Sequence, residues 1–239
     1  MTTPPKTVRL RIQRFDPKTD TEPHYDTFEV TTKPGMTVLD ALFQVLEKQD
    51  RLLAFRYSCR SAVCGSCATF INGKQRLACN TQIIKLGREV TIGPLPHIPV
   101  IRDLAVDLRP YFTKMHMVKP YFEAKEPYPE KEFIQSPKDR EAIDVAIDCI
   151  DCMSCFSACP MGWTDPKYPG PAAFVEAARF IADTRDTAKA ERLALVGCED
   201  GVWRCHTVFN CAEACPKSID PAHFIQYIKR KATRASLKR

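Results

Sequence analysis

The stretch Cys205-His-Thr-Val-Phe-Asn-Cys211-Ala-Glu-Ala-Cys215-Pro216 repeats the spacing of Cys149-Ile-Asp-Cys152-Met-Ser-Cys155-Phe-Ser-Ala-Cys159-Pro160, with one difference. Val208 occupies the position that Cys152 occupies in the earlier stretch. Cysteine runs with this spacing bind iron–sulfur clusters, and in two-cluster ferredoxins the fourth cysteine of a run binds the other cluster. The pair of runs therefore predicts a domain with two clusters, one of which has only three cysteine ligands.

The exchange of fourth ligands divides these cysteines into two sets. We expect one set to hold a [4Fe–4S] cluster: Cys149, Cys152, Cys155 and Cys215. The other set contains only Cys159, Cys205 and Cys211, and three thiolates suit a [3Fe–4S] cluster because the aliphatic Val208 cannot bind iron. An alternative is a full cubane with His206 or solvent as its fourth ligand. His206 directly follows Cys205, which is an awkward position for a second ligand to the same cluster.

A third group of cysteines lies earlier in the chain, at Cys59, Cys64, Cys67 and Cys79. This is the spacing of plant-type ferredoxins, so we predict a [2Fe–2S] cluster. The alternative is zinc, which also accepts four thiolates but usually binds two short Cys-x2–4-Cys pairs. The remaining cysteine, Cys198, fits no group and is predicted to be a small buried hydrophobic residue.

The composition of the 239 residues, 44% of them hydrophobic, is typical of a chain with real cores. No run of about 18 apolar residues occurs, and the N-terminus lacks the apolar stretch of a secretory signal. We therefore expect the cysteines of the three groups to bind metal rather than to form disulfides. The net charge of +6 includes a basic C-terminal tail at Lys229, Arg230, Lys231, Arg234, Lys238 and Arg239.

The basic tail has three interpretations. The first is a solvated C-terminus, the second is contact with anionic lipid or an acidic partner, and the third is nucleic-acid binding. No nucleic-acid reading motif accompanies the charge, so we expect no nucleic-acid partner.

Secondary-structure signals before residue 104 indicate a small α+β module. Val8, Leu10 and Ile12 alternate with polar residues, as in a half-buried strand, and Phe28 and Val30 indicate a second strand. The remaining signals are a helix capped by Thr37, a hairpin with strands 68–71 and 76–79 around Asn72-Gly73, and a strand over 89–92.

Pro94, Pro96 and Pro99 mark a domain boundary, which we place between residues 104 and 105. Beyond it the strand signals fade. Three segments predict helices that begin at a proline, namely 137–147, 171–182 and 221–232. The second domain, 105–239, should therefore be mostly helical.

The order of the three cysteine groups resembles that of the iron–sulfur subunits of succinate:quinone oxidoreductase and fumarate reductase. The resemblance covers nearly the whole chain and rests on the cysteine groups and on these further motifs: Ser58-Cys-Arg-Ser-Ala-Val-Cys-Gly-Ser-Cys67, Arg102-Asp-Leu104, Gly170-Pro-Ala172, Arg185-Asp186 and Pro216-Lys217. It implies a β-grasp [2Fe–2S] ferredoxin domain followed by an all-α dicluster domain of the bacterial ferredoxin type.

The resemblance also implies an assembly, respiratory complex II. In that family an FAD-containing flavoprotein subunit oxidises succinate. Electrons pass from FAD through [2Fe–2S], [4Fe–4S] and [3Fe–4S] to a quinone at a membrane anchor that often carries haem b. The chain would lie on the cytoplasmic face of the inner membrane, held by anchor subunits. No residue offers acid–base or nucleophilic chemistry on a dicarboxylate, so we expect the chain alone to be inert toward succinate.

The resemblance implies quinone contacts for Pro160, Trp163, His206 and Val208. Alternatively, Trp163 is an aromatic residue packed against the membrane partner, and His206 is a surface or hydrogen-bonded histidine. The alternative functions are a fumarate reductase subunit that works in the opposite direction, a subunit of another flavin–quinone or heterodisulfide-type reductase, a soluble ferredoxin, and a structural zinc protein.

Overall fold

The computed structural model describes residues 7–237. The N-terminal stretch 1–6 and the last two residues of the basic tail, Lys238 and Arg239, lie outside the described residues. The chain divides into two units: the segment up to Asp107 together with Ile150–Ser157, and Leu108–Cys149 together with the segment from Ala158. The boundary that we place at 104/105 from the prolines stays a prediction.

The first unit is built on a five-stranded sheet. Its strands are β1 (Thr7–Arg14), β2 (His24–Thr31), β3 (Ala68–Ile71), β4 (Lys74–Leu77) and β5 (Glu89–Gly93). Their order is β2-β1-β5-β3-β4, in which β1 and β5 are parallel and the other neighbours antiparallel. Val8, Leu10 and Ile12 are fully buried on β1, which confirms the predicted alternation.

Helix α1 (Val38–Lys48) supplies the other layer of this unit. A capping box between Thr37 and Asp40 starts the helix where the sequence predicts it, and its apolar stripe is buried in the same core as β1. The hairpin turn has positive φ at Asn72 and Gly73, as a two-residue turn requires. Cys79 differs from the prediction, because it lies in the 3₁₀ turn Ala78–Asn80 rather than in a strand.

A small hairpin that the sequence did not predict completes the strands. It joins β6 (Val100–Arg102) to β7 (Ala105–Val106), which are short strands without a clear alternation. Asp103, in its turn, is buried and accepts hydrogen bonds from Arg14 Nε, Phe15 N and Ala54 N. The Arg102-Asp-Leu104 motif therefore ties this hairpin to the end of β1.

Helices follow after residue 108, and their bounds are α2 (Arg109–His116), α3 (Pro137–Ile147), α4 (Ser154–Ala158), α5 (Pro160–Thr164), α6 (Pro171–Ala182), α7 (Lys189–Val196), α8 (Asn210–Glu213) and α9 (Pro221–Ser236). The predicted bounds of α3 and α6 are confirmed, and α9 continues past the predicted end at residue 232. Within residues 7–237 we find no helix that combines the length and apolarity of a membrane span.

Helix α6 is the centre of the second unit, because it packs against α3, α7 and α9. Its sequence is almost wholly buried. Gly170 has a φ of 101° immediately before the helix, a conformation that side chains rarely adopt, and Pro171 then begins the first turn. These two requirements explain the Gly170-Pro-Ala172 motif.

A fully buried ion pair lies in the same unit. Arg192 Nη2 is 3.0 Å from Asp186 Oδ2, and neither side chain has exposed surface. The guanidinium also donates to the backbone carbonyls of Val118, Lys119 and Tyr121. Asp186 therefore neutralises a charge that joins α7 to the segment after α2.

We expect Asp186→Asn to destabilise the protein by about 3–5 kcal/mol, because it leaves the buried guanidinium of Arg192 without its anion. Denaturant unfolding followed by circular dichroism measures this loss. Asp144→Asn is the matched control, since it removes the same charge from the exposed Arg140–Asp144 pair and should cost less than about 1 kcal/mol. Equal losses for the two variants would contradict this expectation.

Candidate iron–sulfur sites

The first unit brings together the first group of cysteines. Cys59, Cys64 and Cys67 lie on the loop between α1 and β3, and Cys79 lies on the turn after β4. Backbone N–H groups link their sulfurs: Cys64 N is 3.3 Å from Cys59 Sγ, Ala62 N is 3.3 Å from Cys79 Sγ, and Cys79 N is 3.4 Å from Cys67 Sγ. The four thiols therefore share one small, donor-rich site.

The loop reaches this arrangement through left-handed backbone. Arg60 and Ala62 have a φ of 57°, and Gly65 has a φ of 71°. Left-handed residues between right-handed ones point successive N–H groups to one side and form a concavity that binds anions. The guanidinium of Arg60 lies 4.6 Å from the ring centroid of Phe43, so the side chain is held beside the loop.

The thiols in this loop differ in acidity. The hydroxyl of Ser66 and the backbone N–H of Cys59 lower the pKa of Cys64 to about 6, because they stabilise its thiolate. Burial raises the pKa of Cys67 to about 12. Cys64 is therefore ready to bind a cation as it stands, whereas Cys67 needs a bound metal ion to compensate for the loss of water.

The second unit brings Cys159, Cys205 and Cys211 together around a cavity of about 250 Å³. Cys159 precedes α5, Cys205 follows the 3₁₀ turn Val202–Arg204, and Cys211 lies in α8. Val208 lines the same cavity, at the position where a fourth thiol is missing. Burial raises the pKa of Cys159, and it raises the pKa of Cys211 to about 12.

The loop between Cys205 and Cys211 repeats the left-handed pattern. Thr207 and Phe209 have φ values of 57° and 62°, which cost about 1–2 kcal/mol each for side chains of this kind. Thr207 N lies 3.4 Å from Cys205 Sγ. Helix α9 secures the loop, because Gln226 donates to Thr207 Oγ1 and Lys229 donates to Cys205 O, both at 3.0 Å.

Tyr168 is the residue of this cavity that the sequence did not single out. Its side chain is fully buried, its hydroxyl forms no hydrogen bond of normal geometry with a described residue, and the Cys205 thiol is close enough to interact with it. Burial, together with the neighbouring thiols, raises its pKa, so the hydroxyl keeps its proton. An unused donor among three buried thiols fits an anionic sulfur cluster. The one feature of the sequence that could have indicated Tyr168 was its position just before Gly170.

Lys114 is the second residue that the sequence missed. From α2, its ammonium group donates to the carbonyls of Gly162, Asp165 and Tyr168 at 3.0, 2.9 and 2.8 Å. It therefore holds the segment that follows Cys159. Helix α2 was not predicted from the sequence, and a lone lysine has no sequence signature that would indicate such contacts.

The second cysteine run is divided between the units. Cys152 belongs to the core of the first unit, and the left-handed residues Asp151 and Met153 flank it. Cys155 lies in the first unit as well. In the second unit, Cys149 and Cys215 pack against one apolar cluster formed by Ala146, Val175 and Ile219.

No three His, Cys, Asp or Glu residues within the described chain converge to hold a single metal ion. The thiolates of an iron–sulfur cluster do not need to converge in this way. A [3Fe–4S] cluster binds one thiolate at each iron, so its ligands stand around the cluster. Cys159, Cys205 and Cys211 all line the one cavity.

The predicted quinone contacts divide into two kinds. Pro160, His206 and Val208 line the cavity, and 53% of the surface of Val208 remains exposed. Trp163 is not part of the lining and is 42% exposed.

The prediction for Cys198 is wrong. Cys198 is exposed rather than buried, because it lies in the turn that ends α7, where the backbone directs it to solvent. Its thiol is hydrogen-bonded to Leu195 O at 3.3 Å.

Two family descriptions match the chain. Residues 9–113 match a 2Fe-2S iron-sulfur cluster binding domain, and residues 145–219 match a 4Fe-4S dicluster domain. Together with the mixed sheet and the helices after residue 108, these matches confirm the predicted α+β class and the order of the two ferredoxin types.

The sequences of named relatives align with most of the chain. The succinate dehydrogenase iron-sulfur subunit of Paracoccus denitrificans is 43% identical over 223 residues, 92% of this chain and 86% of the relative. The mitochondrial succinate dehydrogenase [ubiquinone] iron-sulfur subunit 1 of Oryza sativa subsp. japonica is 42% identical over 94% and 82%. A chain of the Mycobacterium smegmatis Sdh1 complex in the apo form superposes with a TM-score of 0.88 at 27% identity, over 96% of each chain.

The cysteine loops, the two matched domains and identity of 42–43% over more than nine-tenths of the sequence agree with one another. The chain belongs to the family of succinate dehydrogenase iron–sulfur subunits.

Proposed function

We propose that the chain carries electrons within a succinate:quinone oxidoreductase, from an FAD-containing flavoprotein subunit to membrane quinone. The observation that carries this proposal is the cavity where Cys159, Cys205 and Cys211 meet Val208 in place of a fourth thiol. Soluble ferredoxins are usually much smaller and acidic, whereas this chain has 239 residues and a net charge of +6. The relatives are named succinate dehydrogenases, which favours succinate oxidation over fumarate reduction.

Iron–sulfur clusters supply one-electron transfer, and the chain supplies their ligands and donors. In this proposal Cys59, Cys64, Cys67 and Cys79 hold [2Fe–2S], and Cys159, Cys205 and Cys211 hold [3Fe–4S]. The assignment of Cys149, Cys152, Cys155 and Cys215 to [4Fe–4S] stays a prediction from their spacing. The N–H groups that point at the sulfurs stabilise their negative charge.

Within the first unit, the loop of the first cysteine group contacts the segment that carries Cys152. A Cβ atom at Gly65 would lie 2.6 Å from Ile150 O and 2.8 Å from Cys152 Cβ. Real Cβ contacts are longer than this, so glycine permits the loop of the first group to touch the segment that carries Cys152. The close approach shortens the path from the proposed [2Fe–2S] site to a proposed [4Fe–4S] ligand.

An exposed apolar surface at the cavity provides the proposed exit for electrons. Val208 and Phe209 are both exposed, and Pro160 and His206 line the cavity beside Val208. Such side chains suit an apolar quinone and membrane-anchor subunits. The exposure of Trp163 is the reason to place it among their contacts. We place the chain on the cytoplasmic face of the inner membrane, held peripherally by anchor subunits that carry haem b.

We predict that Val208→Cys converts the three-iron site toward [4Fe–4S], because it restores the missing thiolate. The oxidised complex should lose most of its [3Fe–4S] EPR signal, since an oxidised [4Fe–4S] cluster is diamagnetic. EPR of the complex purified from detergent-solubilised membranes measures the change.

Val208→Ala is the control for that experiment, because it changes the size of the side chain without adding a ligand and should keep the signal. Absence of a [3Fe–4S] signal from the intact wild-type complex would refute the ligand assignment. An undiminished signal in Val208→Cys would count against the position of the missing ligand.

We predict that Gly65→Ala destabilises the [2Fe–2S] unit more than Gly73→Ala does. Both substitutions place alanine at positive φ, at a cost of about 1–2 kcal/mol, but nothing lies within 4 Å of a Cβ atom at Gly73. The overlap at Gly65 should add about 1–3 kcal/mol. Thermal loss of the visible circular dichroism of [2Fe–2S] compares the variants, and equal midpoints would show that the close contact is absent.

A further inference from the structure

Tyr168 carries the most conspicuous unused polar group in the second unit. Its side chain has no exposed surface, and its hydroxyl forms no hydrogen bond of normal geometry with a described residue. A buried hydroxyl without a partner costs about 1–3 kcal/mol. Folded proteins rarely retain such a group unless something absent from the bare chain completes it.

The hydroxyl faces the cavity of the three cysteines. Tyr168 lines this cavity together with Cys159, Cys205 and Cys211, and the Cys205 thiol is the side chain beside its oxygen. Thr207 N, at 3.4 Å from Cys205 Sγ, is a backbone donor to the same sulfur. The Tyr168 hydroxyl would be a second donor to this sulfur. Because it belongs to a side chain, a substitution can remove it.

The ring of Tyr168 is held firmly enough to aim the hydroxyl. Its centroid lies 5.3 Å from that of Phe174, on the buried helix α6. Its backbone carbonyl accepts from Lys114 Nζ at 2.8 Å, and its backbone N–H donates to Asp165 O at 3.3 Å. Contacts at the ring and at both backbone groups restrict the positions that the oxygen can take.

We propose that the Tyr168 hydroxyl donates a hydrogen bond to the sulfur of Cys205 when that sulfur binds iron, and that this bond raises the reduction potential of the three-iron site. The proposal rests on the proposed function, which assigns Cys205 to that site. Reduction adds negative charge to the cluster and its sulfurs, and a donated hydrogen bond is stronger to the more negative state. Tyr168 is therefore a positioning and tuning residue rather than a catalytic one.

The test is Tyr168→Phe in the complex purified from membranes, with the potential of each cluster measured by EPR-monitored redox titration. Loss of the bond should reduce the equilibrium constant for reduction of the three-iron site about tenfold, which is about 59 mV for a one-electron couple. The other two clusters should keep their potentials. In addition, an exchangeable proton coupling to the oxidised cluster, seen by ENDOR in H₂O and D₂O, should disappear.

Tyr227→Phe is the matched control, because it also removes one tyrosine hydroxyl. Tyr227 is a half-buried residue of α9, its ring lies beside Lys231, and it does not line the cavity. It should leave all three potentials unchanged. A Tyr168→Phe complex with a full [3Fe–4S] signal and an unchanged potential would overturn the proposal and leave the proposed function intact. A wild-type complex without that signal would instead refute the proposed function.

A second measurement covers the case in which Tyr168→Phe does not assemble the cluster. Wild-type complex grown with 3,5-difluorotyrosine carries a more acidic and therefore stronger hydroxyl donor at each tyrosine, including the 7 of this chain. The potential of the three-iron site should rise, and the potentials of the other clusters serve as internal references. An unchanged potential at the three-iron site would overturn the proposal without any loss of assembly.

Discussion

Thiolates taken out of water must be surrounded by hydrogen-bond donors or cations, and the cysteine loops of this chain are built around that requirement. Burial, together with neighbouring thiols, raises the pKa of Cys67 and Cys211 to about 12, so neither sulfur would ionise without compensation. The compensation from the protein comes largely from the backbone. Left-handed residues such as Ala62 and Thr207 turn N–H groups toward the sulfurs, and most of these residues are not glycine. The loops therefore carry strain that only a well-held scaffold sustains.

The regular elements explain how the strain is sustained. In the first unit, sheet and helix α1 form the core from which the loop of Cys59 projects, and Cys67 and Cys79 are themselves part of that core. In the second unit, α9 holds the loop after Cys205 through Gln226 and Lys229. Lys114 performs the corresponding task for the segment after Cys159 by binding three carbonyl groups. In each unit, contacts with a rigid element thus hold the cysteine loops in place.

Local signals predicted the parts of the structure that local chemistry determines. The proline that opens α3 or α6, the cap at Thr37 and the Asn72-Gly73 turn each act within a few residues, so their elements were found. Lys114 and Tyr168 escaped prediction because their partners lie elsewhere in the folded chain. Cys198 was wrongly predicted to be buried, because the general preference of cysteine for buried positions does not determine whether one residue in a turn is exposed. The short helix α8 follows the left-handed Phe209 and has no apolar periodicity that would predict it.

The surroundings of the three-cysteine cavity favour its proposed role as the last cluster site in the path of the electrons. Two ammonium groups near the site make an added electron easier to accept, because Lys114 lies close enough to interact with Cys159 and Lys229 binds the carbonyl of Cys205. Apolar side chains such as Val208 exclude water and strengthen these interactions. The valine therefore does more than delete a ligand: it leaves an electron-accepting site that opens onto an apolar surface, where a lipid-soluble acceptor can approach.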